Sequence, residues 1–345
     1  MRWVVALALA FSGVVSAQTT GPQTVLVVPV TAPNAPTAPL SQAALVSAFA
    51  PDGPIATTIS QWSYGATTFT APVVLPNGLA PVSWDFTSCS TMLADVLAWA
   101  KTYATLQGYT LGIGLPVPAA MRQIVSAPSK NCSWGGMSST GVVSSVTYLF
   151  NGLGVARHEL GHAFGLFHTV GPDPLSPMST PQSGAGHPSA MEKRLLGWID
   201  QPGRPQMLVI TASGTYTLEP FDGPHTLGFV AARLIKSDLS QWLTIEAHVT
   251  GVGARAFTSG VAVRTADITW QPNPMSNRFV TLLQAGQSYA WDGRQVYVES
   301  LGAAGAVVRV ANCSAEGADC GSLPPPPPPP CIGRTCSPPP VTGGR

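Results

Sequence analysis

Apolar residues are distributed in two ways along this chain. Up to about residue 200, continuous apolar runs alternate with stripes at helical spacing. From Gln206 onward, short apolar segments are punctuated by Gly, Pro, Asn and Asp. Thr24–Val30 reads TVLVVPV, a short apolar run that predicts a buried first strand. Ser41–Ala50 and Ile55–Ser63 predict short helices, and Thr67–Val74 a second strand. Cys89–Gln107 carries the clearest helical signal. Leu93, Val96, Leu97, Ala100, Tyr103 and Ala104 fall on one face, and Gly108 suits the C-terminal cap. Such a stripe is what core packing requires, so it is read as core rather than as a binding surface. Tyr109–Pro116 and Gln123–Ser126 predict further strands, Cys132–Gly136 a tight turn, and Val142–Phe150 a β-branched strand. A helix over His187–Trp198 would end at Gly197.

Strands interleaved with two long helices predict an α/β arrangement. Beyond Gln206 the short strands Met207–Ile210, Gly214–Leu218, Gly228–Ala231, Trp242–Ile245, Gly260–Arg264, Arg278–Leu283, Gln295–Val298 and Ala306–Val310 predict a β-sandwich. Its expected role is to cover one face of the first domain, and it offers no site residues of its own. His225 and His248 stand isolated in it and read as ordinary surface or core residues. The expected organisation is a signal segment over 1–17, an α/β domain over 18–204, a β-sandwich-like domain over 205–312 and a Cys/Pro-rich tail over 313–345. The tail holds Pro324–Pro330 and Pro338–Pro340, which favour a stiff polyproline II spacer.

Composition narrows the function classes. Net charge is +1 with 10 % of residues charged, so no basic patch points to nucleic acid and no acidic run to a solvating tail. Residues 1–17 combine an early Arg2, an apolar run and a small-residue end, the pattern of a secretory signal cut after Ala17. The first predicted strand starts seven residues later, which leaves no room for a folded pro-domain ahead of it. No later stretch is long and apolar enough to span a membrane. Six Cys in a secreted chain imply up to three disulfides. Their clustering favours Cys89 with Cys132, and Cys313, Cys320, Cys331 and Cys336 among themselves. Asn131 and Asn312 head N-glycosylation sequons whose middle residue is Cys, so glycosylation there competes with disulfide formation.

The chemistry concentrates at His158-Glu-Leu-Gly-His-Ala-Phe-Gly-Leu-Phe-His168, which reads H-E-x-x-H-x-x-G-x-x-H. On a helix, His158 and His162 project from one face, one turn apart. Gly165 lets the chain leave the helix sharply, and His168 can return as a third ligand. Three imidazoles suit one catalytic Zn2+ with its fourth position open, where zinc acidifies water to a pKa of roughly 7. Glu159, beside the first His, is the candidate general base. The bland reading, a helix with satisfied core histidines, explains this spacing far less well. Met178 follows in the Pro-rich turn Asp173-Pro-Leu-Ser-Pro-Met178 and is the candidate floor beneath the metal, with Met191 as runner-up. No Tyr follows Met178 closely. His187 reads as a residue that caps or packs at a helix start, with substrate binding or electrophilic catalysis as the sharper alternative.

The zinc-binding pattern, the D-P-x-x-P-M turn, Lys193-Arg-Leu-Leu-Gly-Trp198 and, earlier, Trp62-Ser-Tyr-Gly65 together resemble the gametolysin family. These are secreted zinc metallopeptidases of the metzincin clan from volvocine green algae. The resemblance covers residues 23–200 strongly and extends more weakly to about 312. It implies a twisted, mostly parallel sheet with a site helix beneath an edge strand, that strand falling near Cys132–Ser138 or Val142–Phe150. It implies His158, His162 and His168 as zinc ligands, Glu159 as the catalytic residue and Met178 as the Met-turn. The implied partners are Pro- or hydroxyproline-rich glycoproteins of an extracellular matrix or cell wall, and the implied activity is hydrolysis of their peptide bonds. The long pro-segment of that family is not evident here. The alternatives are a non-catalytic wall glycoprotein that keeps the fold, and a zinc hydrolase of another amide.

Overall fold

The computed structural model describes residues 19–31, 40–79, 89–111, 121–127, 135–138, 146–150, 153, 155–179, 186–223, 228–249, 258–267 and 277–313. The expected signal segment, Asn131, Cys132, His225 and the Pro-rich tail lie outside them.

The first half is built on β1 (Gly21–Thr31). Its residues alternate between two cores, as the period of a strand dictates. Val25 and Val27 face one cluster with Leu45, Phe49, Ile59, Leu160 and Phe164, and Leu26, Val28 and Val30 face another with Val96, Ala100 and Ala104. The first cluster belongs to α1 (Gln42–Phe49), α2 (Pro54–Trp62) and a later helix, and the second to α3 (Cys89–Leu106). The strands β2 (Thr67–Phe69), β3 (Val73–Val74) and β4 (Gly78–Leu79) all pair parallel to one edge of β1. The carbonyls of Gln23 and Val27 accept from Thr70 and Leu75 N–H, so odd-numbered residues of β1 face that side. Pro29, which has no N–H to give, falls opposite the gap between Val74 and Gly78.

On the other side come β5 (Met121–Ala127), β6 (Gly136–Met137) and β7 (Val146–Phe150). The sheet order is β2-β1-β5-β7-β6, parallel except that β6 runs antiparallel to β7. Of the two segments expected to form an edge strand, it is the one near Cys132–Ser138 that lies at the edge. From β7 the chain turns into α4 (Ala156–Phe164), whose Ala156, Leu160 and Phe164 pack into the first core.

α5 (Ala190–Leu195) leads to the second half. There β8 (Gln206–Val209), β9 (Gly214–Leu218), β10 (Phe229–Ile235), β11 (Gln241–His248), β12 (Gly260–Asp267), β13 (Arg278–Leu283), β14 (Ser288–Trp291), β15 (Arg294–Gly302) and β16 (Gly305–Asn312) form two sheets. Their orders are β13-β12-β11-β10-β8 and β14-β15-β16-β9. Leu243, Ile245, Val261 and Val263 of one sheet meet Val296, Val298, Val308 and Val310 of the other. The opposite face of the five-stranded sheet is covered by the first half: Met207, Val230, Ala231 and Ala266 pack with Tyr64, Ala190, Met191 and Ile199.

Several sequence expectations are corrected. Thr67–Val74 is not one strand but two, interrupted before Val73 where Pro72 offers no N–H. Tyr109–Leu111 is not a strand, because the Tyr109 N–H closes α3 by donating to Ala104 O, just past Gly108 at φ 81°. The helix expected over His187–Trp198 is shorter, since Ser189 and Glu192 form a capping box that fixes its start at Ala190. The β14 hairpin strand had no sequence counterpart. Among the described residues, no helix is long and apolar enough to cross a membrane.

Candidate metal centre

His158, Glu159 and His162 come from α4, and the Gly165 turn returns the chain to them. Gly165 takes φ 107°, open to glycine and strained for other residues. The Gly165 and Leu166 N–H groups close the helix on His162 O and Gly161 O. Nδ1 of His162 then donates to Leu166 O over 2.7 Å, so the second histidine itself fixes the outgoing path. That path brings His168 back. The three Nε2 atoms converge at 3.0 Å (His158–His168), 3.2 Å (His158–His162) and 3.1 Å (His162–His168). Tetrahedral zinc with Zn–N of about 2.0–2.1 Å sets such separations at about 3.3 Å, close to these values.

The donor chemistry points the same way. Nδ1 of His158 donates to Pro177 O over 2.7 Å, as Nδ1 of His162 does to Leu166 O. These two rings therefore carry their proton on Nδ1 and aim bare Nε2 lone pairs at each other and at His168 Nε2. Lone pairs gathered this closely repel unless a cation sits among them, and the residues fit a zinc ion. Burial lowers all three imidazoles, His162 to about 4, which keeps them neutral and ready to ligate. His158 and His162 are buried, whereas His168 is exposed and marks the solvent side.

Glu159 is only 4 % exposed, and burial pushes its carboxyl up to about 7 in the metal-free protein. A nearby divalent cation would draw that value down. Its side chain lies between α4 and the edge strand. A Cβ added at Gly136 of β6 would stand 2.7 Å from Glu159 Cγ, so the bare glycine backbone is what lets β6 approach.

Met178 is fully buried, and its sulfur lies where a Cβ on Gly161, between the two helical histidines, would come within 2.5 Å. The runner-up, Met191, packs instead at the junction of the two halves. Met178 is held by Ser176 Oγ accepting from its N–H, and its own carbonyl accepts from Thr169 N–H, next to His168. Gly161→Ala tests this seat. Alanine gains about 1 kcal/mol of helix propensity, but overpacking against a fully buried thioether costs about 1–3 kcal/mol. The expected result is a lower melting temperature, read by circular dichroism, and an unchanged or raised one would contradict the contact.

The second half contributes a buried polar chain that the sequence reading missed. Asp173, at the start of the Met178 turn, pairs with Arg264 of β12 through Nε at 2.9 Å and Nη2 at 3.1 Å. Arg264 Nη1 reaches Glu246 of β11, whose Oε1 accepts the Ala190 N–H over 2.7 Å. His248 bridges Glu246 at 3.2 Å and Asp222 at 2.7 Å. It is therefore neither isolated nor ordinary. Burial opposes its charge, but Asp222 and Glu246 hold its pKa above the usual value. His187 does not cap α5, since Ser189 does. It is buried and accepts at Nδ1 from Lys193 Nζ over 3.0 Å. Lys193 itself lies 3.9 and 4.0 Å above the rings of Tyr64 and Phe221. The pattern S-x-x-E at Ser189–Glu192 was a readable signal for the cap. The charged residues inside β11 and β12 gave no such signal, because Leu243–His248 alternates as a strand with one face in water does.

This chain gives a pH prediction. Burial, and then the Lys193 charge, push His187 down to about 3. Between about 6.5 and 3 the unfolded chain binds a proton that the folded one refuses, so stability is full above 6.5 and is lost as pH falls toward 3. Urea midpoints of the metal-free protein are expected to drop steadily from pH 7 to pH 4, and less steeply in His187→Asn. Equal slopes would remove His187 as a cause.

Asn312 is exposed at the end of β16, as a glycosylated residue must be. Cys313 is disulfide-bonded, and no described cysteine is free. The expected Cys89–Cys132 pair and Asn131 fall outside the residues whose side chains are described. No protein-family model, no curated protein and no solved structure matches this chain.

Proposed function

We propose that this protein is a secreted zinc-dependent endopeptidase of the gametolysin type, with a metzincin-like first domain. Its proposed substrates are Pro- or hydroxyproline-rich glycoproteins of an extracellular matrix or cell wall. The observation that carries the reading is the convergence of three Nε2 atoms at 3.0–3.2 Å beside a buried carboxyl, against an edge strand. His158, His162 and His168 would hold the ion through Nε2. Zinc when bound supplies Lewis acidity toward a peptide carbonyl and toward water. Glu159 takes the proton of the attacking water on a carboxylate oxygen and returns it to the leaving nitrogen. The β6 edge offers main-chain groups to which an extended peptide can add as a strand. A short edge strand asks few N–H groups of its partner, which suits a Pro-rich peptide.

The test is digestion of casein and of a Pro-rich wall glycoprotein by the secreted protein, with and without a chelator, alongside zinc analysis. Internal cuts that a chelator abolishes, with one zinc per chain, support the proposal. Release of a small product without chain cleavage would reassign the site to another amide. A zinc-free protein that binds wall material and cuts nothing would replace the enzyme by a structural wall glycoprotein.

A further inference from the structure

We infer that Arg264, on the β-sandwich, is a positioning residue of the metal centre: its guanidinium fork on Asp173 fixes the turn that orients His158 and seats Met178. The inference rests on the reading of the three histidines as a metal centre.

The connection is a continuous set of contacts. Arg264 is fully buried and spans two carboxylates, Asp173 by Nε and Nη2 and Glu246 by Nη1. Glu246 and Arg264 stand on neighbouring central strands of the five-stranded sheet, where Glu246 pairs with Ala262 and Thr244 with Arg264. The fork is thus anchored in a rigid element. Asp173 passes this on. Its Oδ1 also accepts the Leu175 N–H at 2.9 Å, and its own N–H donates to Ser179 Oγ at 2.8 Å, so Asp173 closes the turn from both ends. Within that turn lie the Pro177 carbonyl, which holds the His158 ring, and Met178, which fills the space beside Gly161. The Met178 carbonyl accepts from Thr169 N–H, so the segment carrying His168 hangs on the same turn. Every ligand except His162 therefore depends on a loop whose charged anchor comes from the other half of the chain. A carbonyl that orients a ligand histidine is the kind of outer contact whose loss costs metal affinity about 10–100-fold.

The test uses the full-length protein and Arg264→Lys, which keeps one positive charge but cannot fork onto both oxygens of Asp173 while reaching Glu246. Zinc affinity is measured by competition with a chromophoric chelator, and ligand geometry by the visible spectrum of the cobalt-substituted protein. Arg309→Lys, at the half-exposed pair with Glu299 on the far sheet, is the control. The expected result is zinc binding weakened about 10–100-fold and an altered cobalt spectrum in folded Arg264→Lys, with the control unchanged. A purely structural role would lower the melting temperature and leave the affinity and spectrum of the folded protein as they were, and that outcome overturns the inference. If Arg264→Lys does not fold, Asp173→Asn, which keeps the Oδ1 acceptor, is read by the same two measurements. Failure of the wild type to bind zinc would instead remove the metal reading itself.

Discussion

Glu159→Gln is expected to lower kcat on a protein substrate about 100- to 10,000-fold, the range general acid–base groups contribute, while one zinc per chain is retained. The two parts of this expectation have separate origins. Zinc should stay because the substitution touches none of the three Nε2 atoms and neither carbonyl that anchors Nδ1 of His158 and His162. Glutamine also keeps the volume that fills the space beside Gly136, so β6 should stay in place. Turnover should fall because an amide cannot accept the proton that leaves the attacking water. A loss of about 100-fold corresponds to about 2.7 kcal/mol of the barrier, and 10,000-fold to about 5.5. Kinetics on casein and zinc analysis of the same preparation check both parts. Activity within tenfold of wild type would remove Glu159 from the chemistry. Lost zinc would show that its carboxylate helps hold the centre.

The site was far more legible than its support, for a physical reason. Ligand spacing is a local property: two turns of helix and a glycine exit are enough to bring His158, His162 and His168 together, and all three are fixed by an eleven-residue stretch. β1 was legible for a similar reason, since a continuous apolar run has few alternatives to burial on both faces. The Met178 turn could be located, but not what holds it. In β11 the sequence Leu243–His248 alternates apolar with Thr244, Glu246 and His248, which by itself reads as a strand with one face in water. The structure buries that face against the first half, so the polar residues become a charged core. Nothing within the strand distinguishes the two cases. The difference lies in Asp173 and Ala190, 91 residues from Arg264 and 56 from Glu246 respectively. Charge scarcity was a hint. With only 10 % of residues charged, Glu246 and His248 within β11 and Arg264 within β12 were unusual enough to question. The missed capping box is a lesser case, since Ser189 and Glu192 were visible but His187 drew the reading toward itself.

Glu246→Ala is expected to be the most destabilising single change among these residues, by about 3–5 kcal/mol, because it removes one partner of a buried charge network. Three groups lose an acceptor at once: Arg264 Nη1, His248 Nε2 and the Ala190 N–H at the start of α5. Arg264 would keep its fork on Asp173 and the more distant charge of Glu192, but its Nη1 would lose a carboxylate where water has no access. The charge near His248 would fall to Asp222, and its imidazole should lose part of its raised pKa. The half-exposed pair Arg309–Glu299 sets the scale: Glu299→Ala should cost about 1 kcal/mol or less, because the pair borders solvent and lies outside the buried network. Urea unfolding of both variants, followed by far-ultraviolet circular dichroism and by tryptophan fluorescence, measures the difference. The shape of the transition carries as much information as its midpoint. Glu246 sits in the second half and bonds into the first, so coincident loss of both signals in one transition would mean that the two halves fold as a unit. Two separated transitions, or a cost near that of Glu299→Ala, would mean that the sandwich is a domain merely leaning on the first. In that case the metal centre would have to be rigid without its help.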